Sequence, residues 1–247
     1  MQVLTIVAEK GGVAKTTTAQ ALTEELRRRG YKVLAIDLDS QENLTFTFKA
    51  SNNPLGIYEA LDSSDRTTLK EAIKNDFLRA SDNITQLDKE PAKSLKQALE
   101  SVSSVYDFVI IDTPPKLDKT LLKALVSADF VIIPTKAEAF SVKGVEKTLE
   151  TIEAVKEQAN PSLKVAGLLL TFYNPKSSFN IQLRELLESK AKRYATRVFK
   201  ATIRRSIAIG KAQAMQEPLN NYIKEAKAVS DYKDFTKELL GIIKKGA

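Results

Sequence analysis

The chain of 247 residues contains no cysteine and no histidine, and each absence excludes a class of chemistry. Without cysteine there are no disulfides, no thiolate nucleophiles and no iron–sulfur ligation. Without histidine there is no imidazole base, no Ser-His-Asp triad and none of the common zinc sites. Any chemistry must therefore use carboxylates, lysines, hydroxyl groups, backbone amides and a hard cation such as Mg²⁺.

Long hydrophobic runs are also absent. The longest, Val165 to Tyr173, is interrupted by Thr171 and falls well short of the ~18 residues that a membrane span requires. The N-terminus has no basic region, and its apolar run ends at Glu9, so we expect no signal peptide. These features predict a cytoplasmic protein.

The composition that is present describes a globular protein with a preference for anions. Hydrophobic residues make up 43% of the chain and charged residues 28%, which is ordinary for a folded domain. The net charge is +7, and a basic surplus favours anionic partners.

Strand-like and helix-like patterns alternate along the chain. Strands are predicted over Gln2 to Ala8, Lys32 to Leu38, Phe108 to Ile111, Phe130 to Ile133 and Lys164 to Thr171. Helices are predicted over Thr16 to Arg29, from a cap at Ser141, over Phe179 to Lys190 and within Tyr222 to Ile243. Continuous apolar strands are typical of parallel sheets covered on both faces. The pattern predicts an α/β fold: a mostly parallel central sheet with helices on both faces.

The segment 50–104 is harder to interpret, because Pro54, Gly56 and the run Ser63-Ser64-Asp65 interrupt it. We expect short helices there, and one strand near Ile84 to Leu87. No repeat or low-complexity linker is visible, which favours one domain over residues 1–247.

A glycine-containing loop, Glu9-Lys10-Gly11-Gly12-Val13-Ala14-Lys15-Thr16-Thr17, lies between the first predicted strand and helix. Helix N-termini offer unpaired amides to phosphate groups, so this is the position for a phosphate-binding loop. The usual G-x-x-x-x-G-K-[ST] pattern fails, because Glu9 and Ala14 stand at its two glycine positions. The pattern K-G-G-x-x-K-[ST] fits instead.

This loop resembles the deviant Walker A motif of the ParA/MinD ATPases. The segment Asp37-Leu38-Asp39-Ser40-Gln41-Glu42-Asn43-Leu44-Thr45 is similar to the family's D-x-D-P-Q-G-N-x-T segment, and Tyr106 to Pro115 is similar to its Walker B segment. The resemblance extends over nearly the whole chain and implies a P-loop NTPase that binds ATP and Mg²⁺. Within the family it is greatest to short ParA-type DNA-partition ATPases without an N-terminal helix-turn-helix domain.

The resemblance gives each motif residue an expected role. Gly11 and Gly12 let the backbone approach the phosphates. Lys15 is expected to neutralise the β- and γ-phosphates. Thr16 is expected to ligate Mg²⁺, and Thr17 to contact the α-phosphate.

Three further residues complete the expected catalytic machinery. Asp112 would hold a Mg²⁺-bound water. Lys10, the family's signature lysine, would reach the phosphates of a second copy across a nucleotide-sandwich dimer. Asp39 would position the attacking water with support from Asp37, since no histidine is available for this role.

The predicted catalytic residues are Lys10, Lys15 and Asp39. The predicted cofactor-binding residues are Gly11, Gly12, Val13, Ala14, Lys15, Thr16, Thr17, Asp37, Asp112 and Asn174, with Thr16 and Asp112 holding the metal. Asn174 is proposed for the adenine because it follows a strand. The chain departs from the family at Ala14, at Ser40 and Glu42, and at Arg204, where the family often has proline.

Basic residues are concentrated between Lys176 and Lys211, a segment that we call the basic stretch. Ten lysines and arginines against two glutamates give it a surplus of 10 − 2 = +8, which is the charge pattern expected for contacts to a phosphate backbone. ParA-type dimers bind DNA without sequence preference, so the resemblance favours a DNA surface over a merely solvated face. The expected DNA contacts are Lys190, Lys192, Arg193, Arg197 and Arg205.

The resemblance therefore implies a DNA-partition ATPase. ATP would drive a homodimer onto non-specific double-stranded DNA, and a ParB-like centromere-binding partner would stimulate hydrolysis and release. One alternative is a MinD-like ATPase with a membrane-binding tail, Phe235 to Lys245; the other is a regulator that binds nucleotide without hydrolysing it. Family branches that need cysteine are excluded. We expect no membrane partner and a nucleoid-associated location.

Overall fold

The computed structural model describes residues 1–62, 71–81, 84, 86, 94–116, 118–138, 140–222 and 226–246. In this part of the chain six strands form one sheet, and all neighbouring strands are parallel. The strands are β1 Gln2–Ile6, β2 Val33–Asp37, β3 Phe77–Leu78, β4 Phe108–Asp112, β5 Phe130–Lys136 and β6 Lys164–Thr171. Their spatial order is β3-β2-β4-β1-β5-β6. The predicted parallel α/β fold is confirmed.

Helices connect the strands and cover both faces of the sheet. They are α1 Lys15–Arg28, α2 Asn43–Thr47, α3 Ile57–Asp62, α4 Ser94–Glu100, α5 Lys119–Ser127, α6 Ser141–Gln158, α7 Ser178–Arg193, α8 Ile207–Ala214 and α9 Lys227–Gly246. Apolar residues of α1, α8 and α9 pack on one face. Those of α3 to α7 pack on the other. The core therefore consists of two apolar layers, one on each side of the sheet.

The central strands β2 and β4 are apolar up to their last residue because both of their faces are covered. All five residues of each strand are buried, which agrees with the uninterrupted apolar runs Val33 to Ile36 and Phe108 to Ile111. The register aligns Asp112 with both Ile6 and Asp37. The C-terminal ends of β1, β2 and β4 thus meet at one edge, which we call the carboxyl edge; the opposite edge is the amino edge.

Two sequence-based predictions are wrong. The strand near Ile84 to Leu87 is absent, because Ile84 and Gln86 lie in 3₁₀ turns; Thr85 and Leu87 lie outside the described residues. The strand of this region is instead Phe77–Leu78, a two-residue segment too short to leave a pattern. Ser141 does not cap α6: it is the first helical residue, and its hydroxyl has no hydrogen-bond partner among the described residues.

Candidate functional site

The loop between β1 and α1 presents backbone amides at a helix N-terminus. Gly12 and Ala14 both have left-handed backbone angles, with φ of 69° and 68°. No side chain caps the helix, and its first turn carries no acidic residue. Its free amides and positive dipole end are therefore available to an anion.

Lys15, the first residue of α1, is a lysine held in a buried position. Only 7% of the residue is exposed. Burial lowers the pKa of its ammonium group, while the carboxylates of Asp112 and Asp39 act in the opposite direction. A buried ammonium at a helix N-terminus adds positive charge where the free amides converge.

Asp37, at the end of β2, is fully buried and fully hydrogen-bonded. Its Oδ1 accepts from the backbone N–H of Asp39 at 3.0 Å, and its Oδ2 accepts from the backbone N–H and the hydroxyl of Thr45, both at 2.8 Å. Burial, together with the nearby Asp39, raises the pKa of Asp37 to about 6. Asp37 therefore ties α2 to the sheet and orients Asp39. It is not among the residues that line the cleft.

Asp112 is paired with Asp37 in the sheet register but differs from it in its surroundings. Both of its carboxylate oxygens are buried without a hydrogen-bond partner in the described part of the chain. Burial and repulsion by Asp37 raise the pKa of Asp112 to about 8. The Thr16 hydroxyl and the Lys15 ammonium favour ionisation, but neither forms a hydrogen bond of normal geometry with it.

An unpaired buried carboxylate beside a threonine hydroxyl fits a Mg²⁺ ion, because this cation takes oxygen ligands and usually keeps several waters. In the described residues no group of three or more acidic side chains could hold a metal alone. Thr16 and Asp112 are the residues that would hold it.

A cleft of about 510 Å³ opens beside the loop. It is lined by Gly11, Gly12, Ala14, Lys15, Thr16, Thr17, Asp39, Gln41, Asn43, Phe46, Thr47, Pro115, Gln213 and Ala214. Of these, Gln41 donates its backbone N–H to the Oδ1 of Asp39 at 3.1 Å. The structure thus brings most of the predicted loop residues and Asp39 into one cleft.

Sequence reasoning missed the wall of the cleft that α8 provides. The amide of Gln213 donates to the Thr17 hydroxyl at 3.2 Å and to the Gln20 side chain at 3.1 Å. These bonds hold α8 against α1, although Gln213 is far from both residues in sequence. No local pattern could have found it, whereas Gln41, Asn43 and Pro115 lie inside the two motif segments.

Lys10 lies outside the cleft and points to the segment between β5 and α6. Its ammonium donates to Glu138 at 2.5 Å, and both side chains are nearly half exposed, at 44% and 47%. Lys136 approaches the same carboxylate at 3.8 Å. Exposed ion pairs of this kind contribute at most about 1 kcal/mol, so Lys10 can exchange Glu138 for another anion.

Two predicted cofactor residues have other contacts. The Val13 side chain is buried, and its carbonyl accepts a hydrogen bond from the Thr171 hydroxyl at 3.1 Å. Asn174 is exposed, and its side-chain oxygen accepts from the backbone N–H of Lys176 at 3.0 Å. Asn174 is not among the residues that line the cleft, so its assignment to the adenine stays a prediction.

The basic stretch does not form one patch. After α7, residues 196–203 run parallel beside β6, with bridges from Val198 to Leu168 and from Ile203 to Thr171. Arg197 lines a hollow with Lys164 at the start of β6 and thus lies toward the amino edge. Arg205 lines another with Lys136 at the end of β5 and thus lies toward the carboxyl edge.

The five predicted DNA contacts also differ in their partners. Lys190 forms an ion pair with Glu146 on α6. Lys192, Arg193, Arg197 and Arg205 are exposed, and none of them has an acidic partner among the described residues. Lys192 and Arg193 end α7 at the amino edge, near Arg197.

The C-terminal helix α9 packs on the core. Phe235, Leu239 and Ile243 are buried against it, and the Tyr232 hydroxyl lies 3.2 Å from that of Thr18 on α1. The apolar face proposed for membrane contact is therefore already covered. None of the described helices combines the length and the apolar character needed to cross a bilayer.

Known proteins agree with this geometry. The AAA domain family model matches residues 1–165. The sporulation initiation inhibitor protein Soj of Bacillus subtilis is 30% identical over 96% of this chain and 98% of its own. The chromosome partitioning protein ParA of Myxococcus xanthus is 30% identical over 97% of this chain and 88% of its own. The chain belongs to the ParA/MinD family.

Solved structures extend the similarity to this family. Cobyrinic acid a,c-diamide synthase from Mycobacterium smegmatis, with bound ADP and magnesium, matches 100% of this chain and 97% of its own, with a TM-score of 0.82 and 29% identity. A plasmid partition protein from Borrelia burgdorferi matches 91% of this chain and 99% of its own, with a TM-score of 0.70 and 27% identity. Proteins with this fold thus carry more than one named function.

Proposed function

We propose that this protein is a Mg²⁺-dependent ATPase that segregates DNA. ATP joins two copies into a nucleotide sandwich, the dimer binds double-stranded DNA without sequence preference, and a ParB-like partner stimulates hydrolysis to release it. The observation that carries the proposal is the meeting of Lys15 and Asp39 in one cleft at the carboxyl edge, close to the buried Asp112, whose carboxylate has no hydrogen-bond partner in the described part of the chain.

Each residue has a role that its surroundings support. The loop amides and the buried Lys15 would bind and neutralise the phosphates. Thr16 and Asp112 would hold Mg²⁺, which supplies charge compensation for the β- and γ-phosphates when it is bound. Asp39 faces the cleft and is held by Gln41, so it is placed to orient a water.

The position of Lys10 supports an action on a second copy. Its ammonium lies outside the cleft of its own chain, and among the described residues it is held by an exposed ion pair with Glu138 alone. A lysine in this position is free to meet phosphates brought by another molecule. This agrees with the dimerisation that the Soj and ParA relatives imply in general.

Charge at the amino edge supports DNA binding. Lys192, Arg193 and Arg197 are exposed there without acidic partners among the described residues. Arg197 also lines a hollow of about 290 Å³ together with Lys164 and Lys245. A group of cations at one edge suits a phosphate backbone.

The partition function is preferred to the MinD-like alternative because α9 uses its apolar face within the core. It is preferred to a non-hydrolysing regulator because Asp39 is present in the cleft. Two similar proteins are named partition proteins and a third is named Soj, and these names favour DNA partition over the synthase activity of the Mycobacterium smegmatis protein.

The test is binding to random-sequence duplex DNA with ATP, with ADP and without nucleotide, over a series of salt concentrations. Anionic liposomes are tested in parallel. Binding to DNA that requires ATP and weakens steeply with salt supports the proposal. ATP-dependent binding to liposomes without DNA binding would support the MinD-like alternative instead.

Hydrolysis is tested separately by phosphate release. The Asp39→Ala variant is expected to bind ATP but not to turn it over, so that it stays on DNA. ATP binding by the unmodified protein without any turnover, with and without DNA, would leave the regulator as the better explanation.

A further inference from the structure

A second cavity lies on the other side of the phosphate-binding loop, away from the cleft. Its volume is about 280 Å³, and we call it the side cavity. Residues 8–10 of the loop, the end of β5 and the first two turns of α6 form its walls. An apolar cavity of about 150 Å³ already accepts a benzene ring, so the side cavity has room for an aromatic side chain.

Gly144 keeps the side cavity open. It lies within α6, where glycine costs about 1 kcal/mol relative to alanine. A Cβ at this position would meet no atom within 4 Å, so packing inside the chain does not require glycine. The space beside Gly144 is left for a group that the described chain does not supply.

Phe140 lies at the rim of the side cavity and does not fill it. It is 78% exposed, although an exposed phenyl ring is unfavourable in water. One surface patch thus contains both an apolar projection and an apolar cavity. A two-fold interface needs a self-complementary patch of this kind, because the same surface of each molecule contacts the other molecule.

Charged residues border this patch, and one of them, Lys10, lines the side cavity. Glu9 is held by Lys147 on α6, and Lys10 by Glu138. An apolar centre with a charged rim is the usual arrangement of a protein–protein contact. Under the proposed function, on which this inference rests, Lys10 is the residue that reaches the second copy.

We propose that Phe140 of each copy inserts into the side cavity of the other when ATP joins two molecules. The second copy thereby presses on residues 8–10, so that dimer formation and the shape of the phosphate-binding loop become linked. The side cavity is the receiving site, Gly144 is the residue that keeps it open, and Phe140 is the anchor.

The test is sedimentation equilibrium with Mg²⁺ and a non-hydrolysable ATP analogue. Phe140→Ala is expected to weaken the dimer at least about tenfold, because two buried anchors are lost per dimer. Gly144→Leu is expected to weaken it to a similar extent by filling the side cavity, although it raises the helical propensity of α6. Binding of the analogue by the monomer is expected to stay unchanged in Phe140→Ala.

Two controls separate the anchor from general surface effects. Val105→Ala removes a 47% exposed apolar side chain near the amino edge and is expected to leave the dimer intact. Ser141→Ala removes the unpartnered hydroxyl beside the side cavity and is also expected to have no effect, since a phenyl ring cannot satisfy it.

The outcomes distinguish this inference from the function on which it rests. If the unmodified protein stays monomeric with the analogue, the sandwich dimer is wrong and the inference falls with it. If it dimerises and the Phe140→Ala and Gly144→Leu variants dimerise equally well, the inference alone is wrong. A loss with Ser141→Ala as large as that with Phe140→Ala would show that the side cavity takes a polar group, which also overturns it.

Discussion

The carboxyl edge and the basic stretch relate sequence to space in opposite ways. At the carboxyl edge Lys15, Asp39 and Asp112, which are far apart in the chain, come together because parallel strands end at one place. In the basic stretch Arg197 and Arg205, which are near each other in the chain, lie at opposite edges of the sheet. Topology, and not spacing, decides which charges can act on one ligand.

The largest expected effect concerns Lys15. The Lys15→Ala variant is expected to lose ATP affinity by at least about 100-fold, because a charged donor is removed from a buried anion site. Lys32→Ala, which removes an exposed lysine at the amino edge, is the control. Titration with a fluorescent ATP analogue measures both, and equal affinities in the two variants would show that the cleft does not hold the phosphates.

Replacement by asparagine is expected to change the free energy of unfolding in opposite directions at the two buried aspartates, Asp112 and Asp37. A carboxyl group with a raised pKa keeps its proton in the folded protein after the unfolded chain has lost it, so folding becomes less favourable as pH rises. For Asp112 this loss of folding stability begins near pH 4, the ordinary pKa of an aspartate, and continues to about pH 8, its raised pKa in the folded protein. Asp112→Asn is therefore expected to raise the free energy of unfolding at pH 8 by more than 1 kcal/mol, at about 1.4 kcal/mol per pKa unit, and to have little effect at pH 4.

Asp37→Asn is the matched control for Asp112→Asn. An amide in place of the carboxylate faces donors from Asp39 and Thr45 and leaves at least one of them unsatisfied, so we expect a loss of about 1–3 kcal/mol. Urea unfolding at pH 4 and pH 8 without nucleotide measures both variants. Destabilisation of the same size by Asp112→Asn at pH 8 would contradict the contrast between a satisfied and an unsatisfied carboxylate.

Substitutions in the basic stretch test whether its two ends act together. Salt dependence is measured as the slope of the logarithm of the DNA-binding constant against the logarithm of the salt concentration. Replacing Lys192, Arg193 and Arg197 by alanine is expected to reduce this slope by up to about three, one for each phosphate contact. Arg205→Ala is expected to have a smaller effect because it lies at the other edge, and Lys190→Ala none because Glu146 already holds Lys190. Equal slopes in the triple variant and the unmodified protein would remove the amino edge from the DNA surface.

The smallest expected effect concerns two neighbouring loop residues with the same backbone angle. Gly12→Ala is expected to destabilise the protein by about 1 kcal/mol, because alanine is strained in the left-handed region. Ala14→Gly is expected to stabilise it by only about 0.5 kcal/mol, since glycine also gains entropy in the unfolded chain. Thermal unfolding without nucleotide measures both, and opposite signs would show that other contacts decide the shape of the loop.

The sequence predicts the sheet and the carboxyl edge well for a physical reason. Uninterrupted apolar runs such as Val33 to Ile36 identify buried parallel strands, and the motifs follow directly on those runs. The amino-acid order alone therefore suffices to place Asp39 and Asp112 near Lys15. The strand at Phe77–Leu78 escaped prediction because two residues carry no periodicity.

Contacts between distant helices could not be predicted in this way. Gln213 reaches Thr17 and Gln20 only because α8 crosses α1, and nothing in its neighbours marks it. The sequence also did not distinguish Asp37 from Asp112 by environment, since the difference depends on whether Thr45 folds back onto the carboxylate. Hydrogen-bond satisfaction of buried groups is a property of three-dimensional packing.

The packing of α9 has a consequence for the order of events during synthesis. Tyr232 and Phe235 complete the apolar layer beneath α1, and α1 carries the residues that follow the phosphate-binding loop. The ribosome makes α9 more than 200 residues after β1, and a domain generally folds as a unit. A nascent chain thus has every motif residue before it has the helix that completes the apolar layer beneath α1.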